Sequence, residues 1–304
     1  MVHDMLLIMN NGLKFIAKSY AGLYKLKVSY RSIGYYSRPA LFFSHADQRI
    51  YKKELAIGVI AFNNPEVIKQ QIRLLNKYLK DDFEYYVFDN SNNELASLKI
   101  KEICNKQNIL YVKLPPNPDY TGIVGHSHGY ALNWSYYNYF KEKYRYFGLL
   151  DHDVFPIRKT SVIDKLKSEG LWGLKHIRDS RWYIWPGFCF FDMEYINNAK
   201  LDFFPWNGLD TGGANWKTVY LLKPPISDLP FSCAKINDLL MNKYSNWPNI
   251  MIPKSEYTLA NEKLLETDDL VEFFGDWMHF FNASNWRGLK CSKTNKIKQV
   301  ISKI

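Results

Sequence analysis

Two hydrophobic rhythms alternate between Leu55 and Leu150. Leu55 to Ala61 is a continuous apolar run of strand length, the pattern of a strand covered on both faces of a parallel sheet. Asn64 then offers an N-cap and Pro65 a first helical position. Ile68, Ile72, Leu75 and Leu79 recur at helical spacing and form one apolar stripe. Phe83 to Phe88 predicts a second strand, so the segment reads as a βαβ unit with a right-handed crossover. The alternation continues with a helix over 94–107, a strand over 109–113, a loop over 115–120, a helix over 125–143 and a strand over 146–150.

This order predicts an α/β fold with a mostly parallel central sheet. Ligands in such sheets bind beyond the carboxyl ends of the strands. Asn63, Asp89 and Asp151 each fall just past a strand, so they are expected on one edge. After Asp153 the rhythm breaks into aromatic, Gly- and Pro-bearing segments such as Trp185-Pro186-Gly187-Phe188 and Leu209-Asp210-Thr211-Gly212-Gly213. The expected organisation is therefore an N-terminal extension over 1–53, a regular α/β half over 54–155, an irregular half over 156–286 and a C-terminal tail over 287–304.

Charge sharpens that division. The 304-residue chain carries a formal net charge of +10, concentrated at its ends. Residues 1–53 hold nine Lys/Arg against Asp4 and Asp47, and residues 287–304 hold six with no acid. The middle is left slightly acidic, which argues against a nucleic-acid groove; the basic termini suit peripheral contact with an anionic membrane or an acidic partner, or are solvated ends. Leu13, Phe15, Ile16, Tyr20, Leu23 and Tyr24 among lysines read as a basic amphipathic helix, for the membrane surface or for packing on its own domain. Cys104, Cys189, Cys233 and Cys291 are scattered, as expected of reduced thiols in the cytoplasm. Met5 to Met9 is too short for a membrane span, so neither a secretion signal nor an anchor is expected. With 22 Tyr, 19 Phe and 9 Trp, rings are numerous enough to line a ligand cleft as well as a core.

The chemistry centres on Asp151-His152-Asp153. Two carboxylates at i and i+2, in a turn after a strand, can present oxygen to a hard divalent cation that neutralises a diphosphate. His126-Ser127-His128 invites a second metal reading, but it precedes a helix without a partner carboxylate, which favours helix capping or substrate bonding. Asp210, beside glycines that let backbone approach a sugar, is the candidate general base, with Asp192 and Asp276 as competitors. Trp182, Tyr183, Trp185 and Trp206 are candidates for stacking on sugars, or for the core.

Residues 55 to about 155 resemble the nucleotide-binding half of a family 2 type glycosyltransferase with the GT-A fold. The resemblance rests on Ala61-Phe62-Asn63-Asn64-Pro65, Val87-Phe88-Asp89-Asn90-Ser91, Gly129-Tyr130-Ala131-Leu132-Asn133 and Leu149-Leu150-Asp151-His152-Asp153. It implies a donor such as a UDP- or GDP-sugar bound by the half over 54–155, a Mn2+ or Mg2+ cofactor and a glycan or lipid-linked glycan acceptor bound by the catalytic half over 156–286. It places Phe62 and Asn63 near the nucleobase, Asp89 and Asn90 on base or ribose, and Asp151, His152 and Asp153 on ribose and metal. Asp89-Asn90-Ser91-Asn92 departs from the Asp-Asp-Gly-Ser of many members. A late histidine often completes the metal shell of GT-A enzymes, and Met278-His279-Phe280 to Trp286 resembles that tail, with Arg287 or Lys290 as phosphate grips. A metal-dependent phosphohydrolase or nucleotidyltransferase using the same carboxylates, and a non-catalytic carbohydrate or membrane-surface binder, are the competing readings.

Overall fold

A computed structural model describes residues 32–44, 53–118, 126–244, 247–248, 270–280 and 291–304, the side chains of 291–294 excepted. The proposed amphipathic helix near the N-terminus and the tail from Phe281 to Lys290 lie outside the described residues.

The expected elements form where local signals are strong. Strand β1 is Phe42–Phe43, β2 is Leu55–Ala61, β3 is Phe83–Asp89, β4 is Leu110–Lys113 and β5 is Tyr146–Leu150. Helix α1 spans Pro65–Tyr78 with Pro at its start, and the Asn64 side chain accepts the Val67 N–H at 3.2 Å, the predicted cap. Helix α2, Glu94–Lys106, is capped in the same way by Asn93. Helix α3 begins at His126 and is α-helical to Ser135, then widens into a π-helical turn over Tyr136–Phe140. The uniform helix expected to 143 is thus corrected. Tyr136 and Phe140 are both buried against Phe147.

Strands β2 to β5 are mutually parallel and, with β7 (Leu171–Arg178) and β8 (Arg181–Asp192), form a seven-stranded sheet in the order β1-β4-β3-β2-β5-β8-β7. Every residue of β2 is buried, as its unbroken apolar run required. One face carries α1, α2 and α4 (Val162–Glu169), and the other carries α3, its π-turn and Tyr35. The α/β class with a mostly parallel central sheet is observed. No helix among the described residues is long and apolar enough to cross a membrane.

The second half is more regular than its sequence suggested. Leu171–Arg178 (β7) and Arg181–Asp192 (β8) form a long hairpin that extends the central sheet antiparallel to β5. Its turn is Asp179-Ser180, both at positive φ of 49° and 59°, as a tight two-residue hairpin turn requires. Pro186 and Gly187, read as irregular, sit inside β8 where the pairing with β7 shifts register near Leu174. A separate antiparallel sheet joins β6 (Val154–Pro156), β9 (Phe231–Lys235), β10 (Leu270–Phe274) and β11 (Trp277–Phe280) in the order β6-β11-β10-β9. Ile236–Leu240 forms the short α5 and Cys291–Ser302 forms α6. Ile297, Val300 and Ile301 of α6 are buried in the main core, so residues 291–304 belong to the folded body and are not a solvated tail.

Candidate active site

The strand order reverses between β2 and β5: β3 and β4 follow on one side of β2, and β5 lies on the other. The crevice beyond the carboxyl ends of these strands is where such sheets take ligands. Asn63 and Asp151 flank it.

Asp151 to Val154 is a turn. The Asp151 N–H donates to Gly187 O at 2.8 Å and the Val154 N–H to Asp151 O at 3.1 Å. The turn is held from below by Gln71 of α1, which is fully buried. Its amide nitrogen donates to Asp151 O at 2.8 Å and to Val154 O at 2.7 Å, and its carbonyl accepts from the Tyr85 hydroxyl. Gln71 went unremarked in the sequence, although a polar residue inside the apolar stripe of α1 was its signal.

The two aspartates of the turn face different partners. Asp153 is 3% exposed, and its Oδ1 lies 3.7 Å from His279 Nε2. The other ring nitrogen of His279, Nδ1, is 2.6 Å from Glu272 Oε2. The geometry follows from strand pairing, because His279 sits opposite both Val154 of β6 and Glu272 of β10. Burial pushes the Asp153 carboxyl up from its usual range. Burial alone would lower His279, but the Asp153 and Glu272 carboxylates outweigh it and hold the imidazole at about 9. Glu272 is a site neighbour that sequence reasoning missed; a single carboxylate within Leu270–Phe274 was the clue. Asp151 is partly exposed and its Oδ1 is 3.6 Å from Nε2 of His128 on α3, so His128 approaches the site while His126 rests edge-on against Phe204. His152 is buried between the two aspartates.

Among the described residues, no three His, Cys, Asp or Glu side chains form a ready ligand cluster. The Asp153–His279 pair nonetheless suits a divalent cation. A carboxylate oxygen and an imidazole nitrogen too far apart to bond each other, with the second ring nitrogen clamped by a carboxylate, is the arrangement of a ligand pair with its outer support. Cations of this class often take few protein ligands and complete their shell with phosphate oxygens and water.

On the other side of the crevice, Asn63 has a positive φ of 54°, which asparagine tolerates. Its side chain staples the end of β2 to the loop after β3, accepting from Asn92 N–H at 3.1 Å and Asn93 N–H at 3.0 Å. Asn90 is tied back by its N–H to Ala61 O at 2.9 Å. Phe62 and Asn63 remain partly exposed at this edge.

Asp89 differs from expectation. It is fully buried, and its carboxylate accepts from Ser91 N–H at 2.8 Å, Tyr111 hydroxyl at 2.8 Å, Lys113 ammonium at 3.2 Å and the Ser97 hydroxyl. Burial would raise it, yet the Ser91 and Ser97 bonds and the Lys113 charge together hold it below the usual carboxylate range. Its acceptor capacity is spent on shaping the loop, so no oxygen is turned outward to a base or ribose. Lys113, also bonded to Ser91 O at 2.7 Å, is the group that this network brings toward the surface.

Asp210 is partly exposed and accepts from Thr211 N–H at 2.7 Å. The loop that leads to it is tied to the β7–β8 hairpin by Arg178 and Arg181, which donate to Gly208 O at 3.3 Å and Asn207 O at 3.0 Å. Gly212 fits here for a specific reason: at φ 85° an added Cβ would stand 3.2 Å from Pro186 Cδ and 3.3 Å from Ile184 O. Trp185 bridges the two regions, its ring 5.0 Å from that of His279 and stacked 6.2 Å from that of His176. Trp182 and Tyr183 are core residues, the bland alternative. The competing aspartates are excluded from the crevice. Asp192 pairs with Tyr146 at the opposite end of β5 and neighbours Arg145, and Asp276 is bound to Arg158 at 2.9 Å.

No family model matches the chain, and no curated protein does either. Among solved structures it is similar to the mannosyltransferase PcManGT from Pyrobaculum calidifontis in complex with GDP-Man and Mn2+, at 13% identity and a TM-score of 0.42, over 69% of this chain and 63% of that one. It is also similar to the mannosyltransferase Ktr4p from S. cerevisiae at 12% identity and a TM-score of 0.36, over 57% of this chain and 66% of that one. S. aureus TarS 1-349 in complex with UDP-GlcNAc gives 14% identity and a TM-score of 0.36, over 55% of this chain and 53% of that one. In each case the chain spans less than two thirds of the other protein.

Proposed function

We propose that the protein is a glycosyltransferase that moves a sugar from a nucleoside-diphosphate donor to an acceptor hydroxyl. The observation that carries this reading is the Asp151–Asp153 turn at the strand-order reversal, with Asp153 facing a His279 that is clamped by Glu272. Asp151, Asp153 and His279 would hold Mn2+ or Mg2+, whose chemistry is to neutralise the leaving diphosphate. Phe62 and Asn63 border the donor crevice opposite, and Lys113 brings a cationic group to the same rim. Asp210 is the proposed base. It takes the proton of the acceptor hydroxyl as that oxygen bonds to the sugar carbon, while the bond from that carbon to the diphosphate breaks and the nucleoside diphosphate leaves with the electron pair.

Incubation with a panel of UDP- and GDP-sugars and Mn2+ tests the reading. Transfer of sugar to an acceptor, with release of the nucleoside diphosphate, supports it, whereas sugar phosphate formed in water alone would favour a phosphohydrolase. Thermal shift with UDP or GDP gives a second readout: metal-dependent stabilisation should vanish in Asp151→Ala.

A further inference from the structure

The β7–β8 hairpin has two faces with different company. Along each strand, alternate side chains point opposite ways. His176 and Tyr183 are direct partners on one face, the face turned toward Trp185, His279 and Asp210. Ile177 and Trp182 are partners on the other. That second face is covered by residues 220–228: the Tyr220 ring lies 5.0 Å from the Trp182 ring, and Lys175, on the same face, donates to Ile226 O at 2.9 Å. The covering stops short of the hairpin tip. Ile177 is left 65% exposed, and beside Tyr220 the next two residues, Leu221 and Leu222, are 58% and 68% exposed.

This apolar ridge has a basic rim. Two exposed acids nearby, Asp179 and Asp228, are matched by Arg181 and Lys175 at 3.1 and 3.0 Å, and a third acid, Glu169, accepts the Ser227 N–H at 3.1 Å. Among the described residues Arg178 and Lys217 have no acidic partner, while the Lys223 ammonium is turned to Tyr195 O at 2.6 Å. Arg178 and Arg181 also donate to Gly208 O and Asn207 O, and Lys217 lies over the Trp206 ring, so ridge, rim and the loop leading to Asp210 are one connected surface.

We propose that this ridge docks the protein on an anionic lipid surface, with Leu221, Leu222 and Ile177 entering the headgroup layer and the basic rim meeting lipid phosphates. Exposed branched aliphatics bordered by unmatched cations are what such a surface selects. The identity of the acceptor as a membrane-borne glycan rests on the proposed transfer reaction; the docking itself does not.

Co-sedimentation with vesicles of equimolar phosphatidylglycerol and phosphatidylcholine is the test. The full chain should bind these vesicles and not phosphatidylcholine alone. The double variant Leu221→Glu, Leu222→Glu should lose about tenfold or more in affinity, with its nucleotide thermal shift unchanged. Leu222→Cys carrying an environment-sensitive fluorophore should blue-shift on the anionic vesicles. Equal binding by the double variant, no binding by the full chain, or sedimentation without a blue shift would overturn the proposal. So would a dimer of the full chain that the double variant abolishes, because a second copy would then be the occupant. Vesicle binding and sugar transfer are read separately, so either idea can fail without the other.

Discussion

Gln71 reaches across eighty residues of sequence to bond the carbonyl oxygen of Asp151 at 2.8 Å, and the same amide holds Val154 O. The turn that carries both aspartates is therefore suspended from α1. Gln71→Leu keeps the volume but takes its amide from buried Val154 O and the Tyr85 hydroxyl, and leaves Asp151 O with the Val154 N–H alone, a loss of ~1–3 kcal/mol in stability. Tyr85→Phe removes one donor only and should cost ~1 kcal/mol. Denaturant midpoints check the ranking, which a Gln71→Leu protein as stable as wild type would refute.

Glu272 acts on the site through His279. Glu272→Gln should weaken metal-dependent nucleotide binding by roughly 10- to 100-fold, as the loss of an outer partner does at metal-bound histidines. Metal-free stability should change less than in Asp153→Ala. Calorimetric titration with UDP or GDP and Mn2+ measures this, and an unchanged metal-dependent affinity would remove Glu272 from the site.

Asp210→Asn should reduce turnover by about 10²- to 10⁴-fold with donor binding retained, if Asp210 is the base. Asp192→Asn and Asp276→Asn serve as contrasts, since their carboxylates are engaged by Arg145 and Arg158 away from the crevice. Turnover by Asp210→Asn at the wild-type rate would reassign the proton.

Asp89 links stability to pH. Its folded pKa is depressed, so its contribution is complete above the unfolded carboxylate value and is lost as pH falls through the folded one. Asp89→Asn turns an amide donor toward hydroxyl and ammonium groups and should cost ~3–5 kcal/mol near neutrality. The deficit should shrink in acid, where the wild-type carboxyl is protonated too. Melting temperatures across that range decide it.

The first half of the fold was legible because each element carried its own signal: Asn64-Pro65 for a capped helix, and unbroken apolar runs for strands buried on both faces. The hairpin was not, because β8 is covered on both faces and broken by Pro186, so neither alternation nor an Asn-Gly turn marked it. Asp151, Asp153 and His279 could be singled out as chemical groups and joined through the family resemblance alone, because no local pattern carries their grouping. It depends on β11 finding β6, a pairing with no local trace. Asp89 misled for the opposite reason, since a carboxylate after a strand has the same sequence appearance whether it faces a ligand or its own loop.

The union of β6 with β11 has a further consequence. Arg158 meets Asp276 from 118 residues away, and His279 reaches Asp153 through the same pairing. A chain emerging from the ribosome can complete the central parallel strands long before it possesses this histidine. The cation binding proposed there would therefore have to wait for β11, and a polypeptide cut short before β10 would carry the aspartate turn without the partner that faces it.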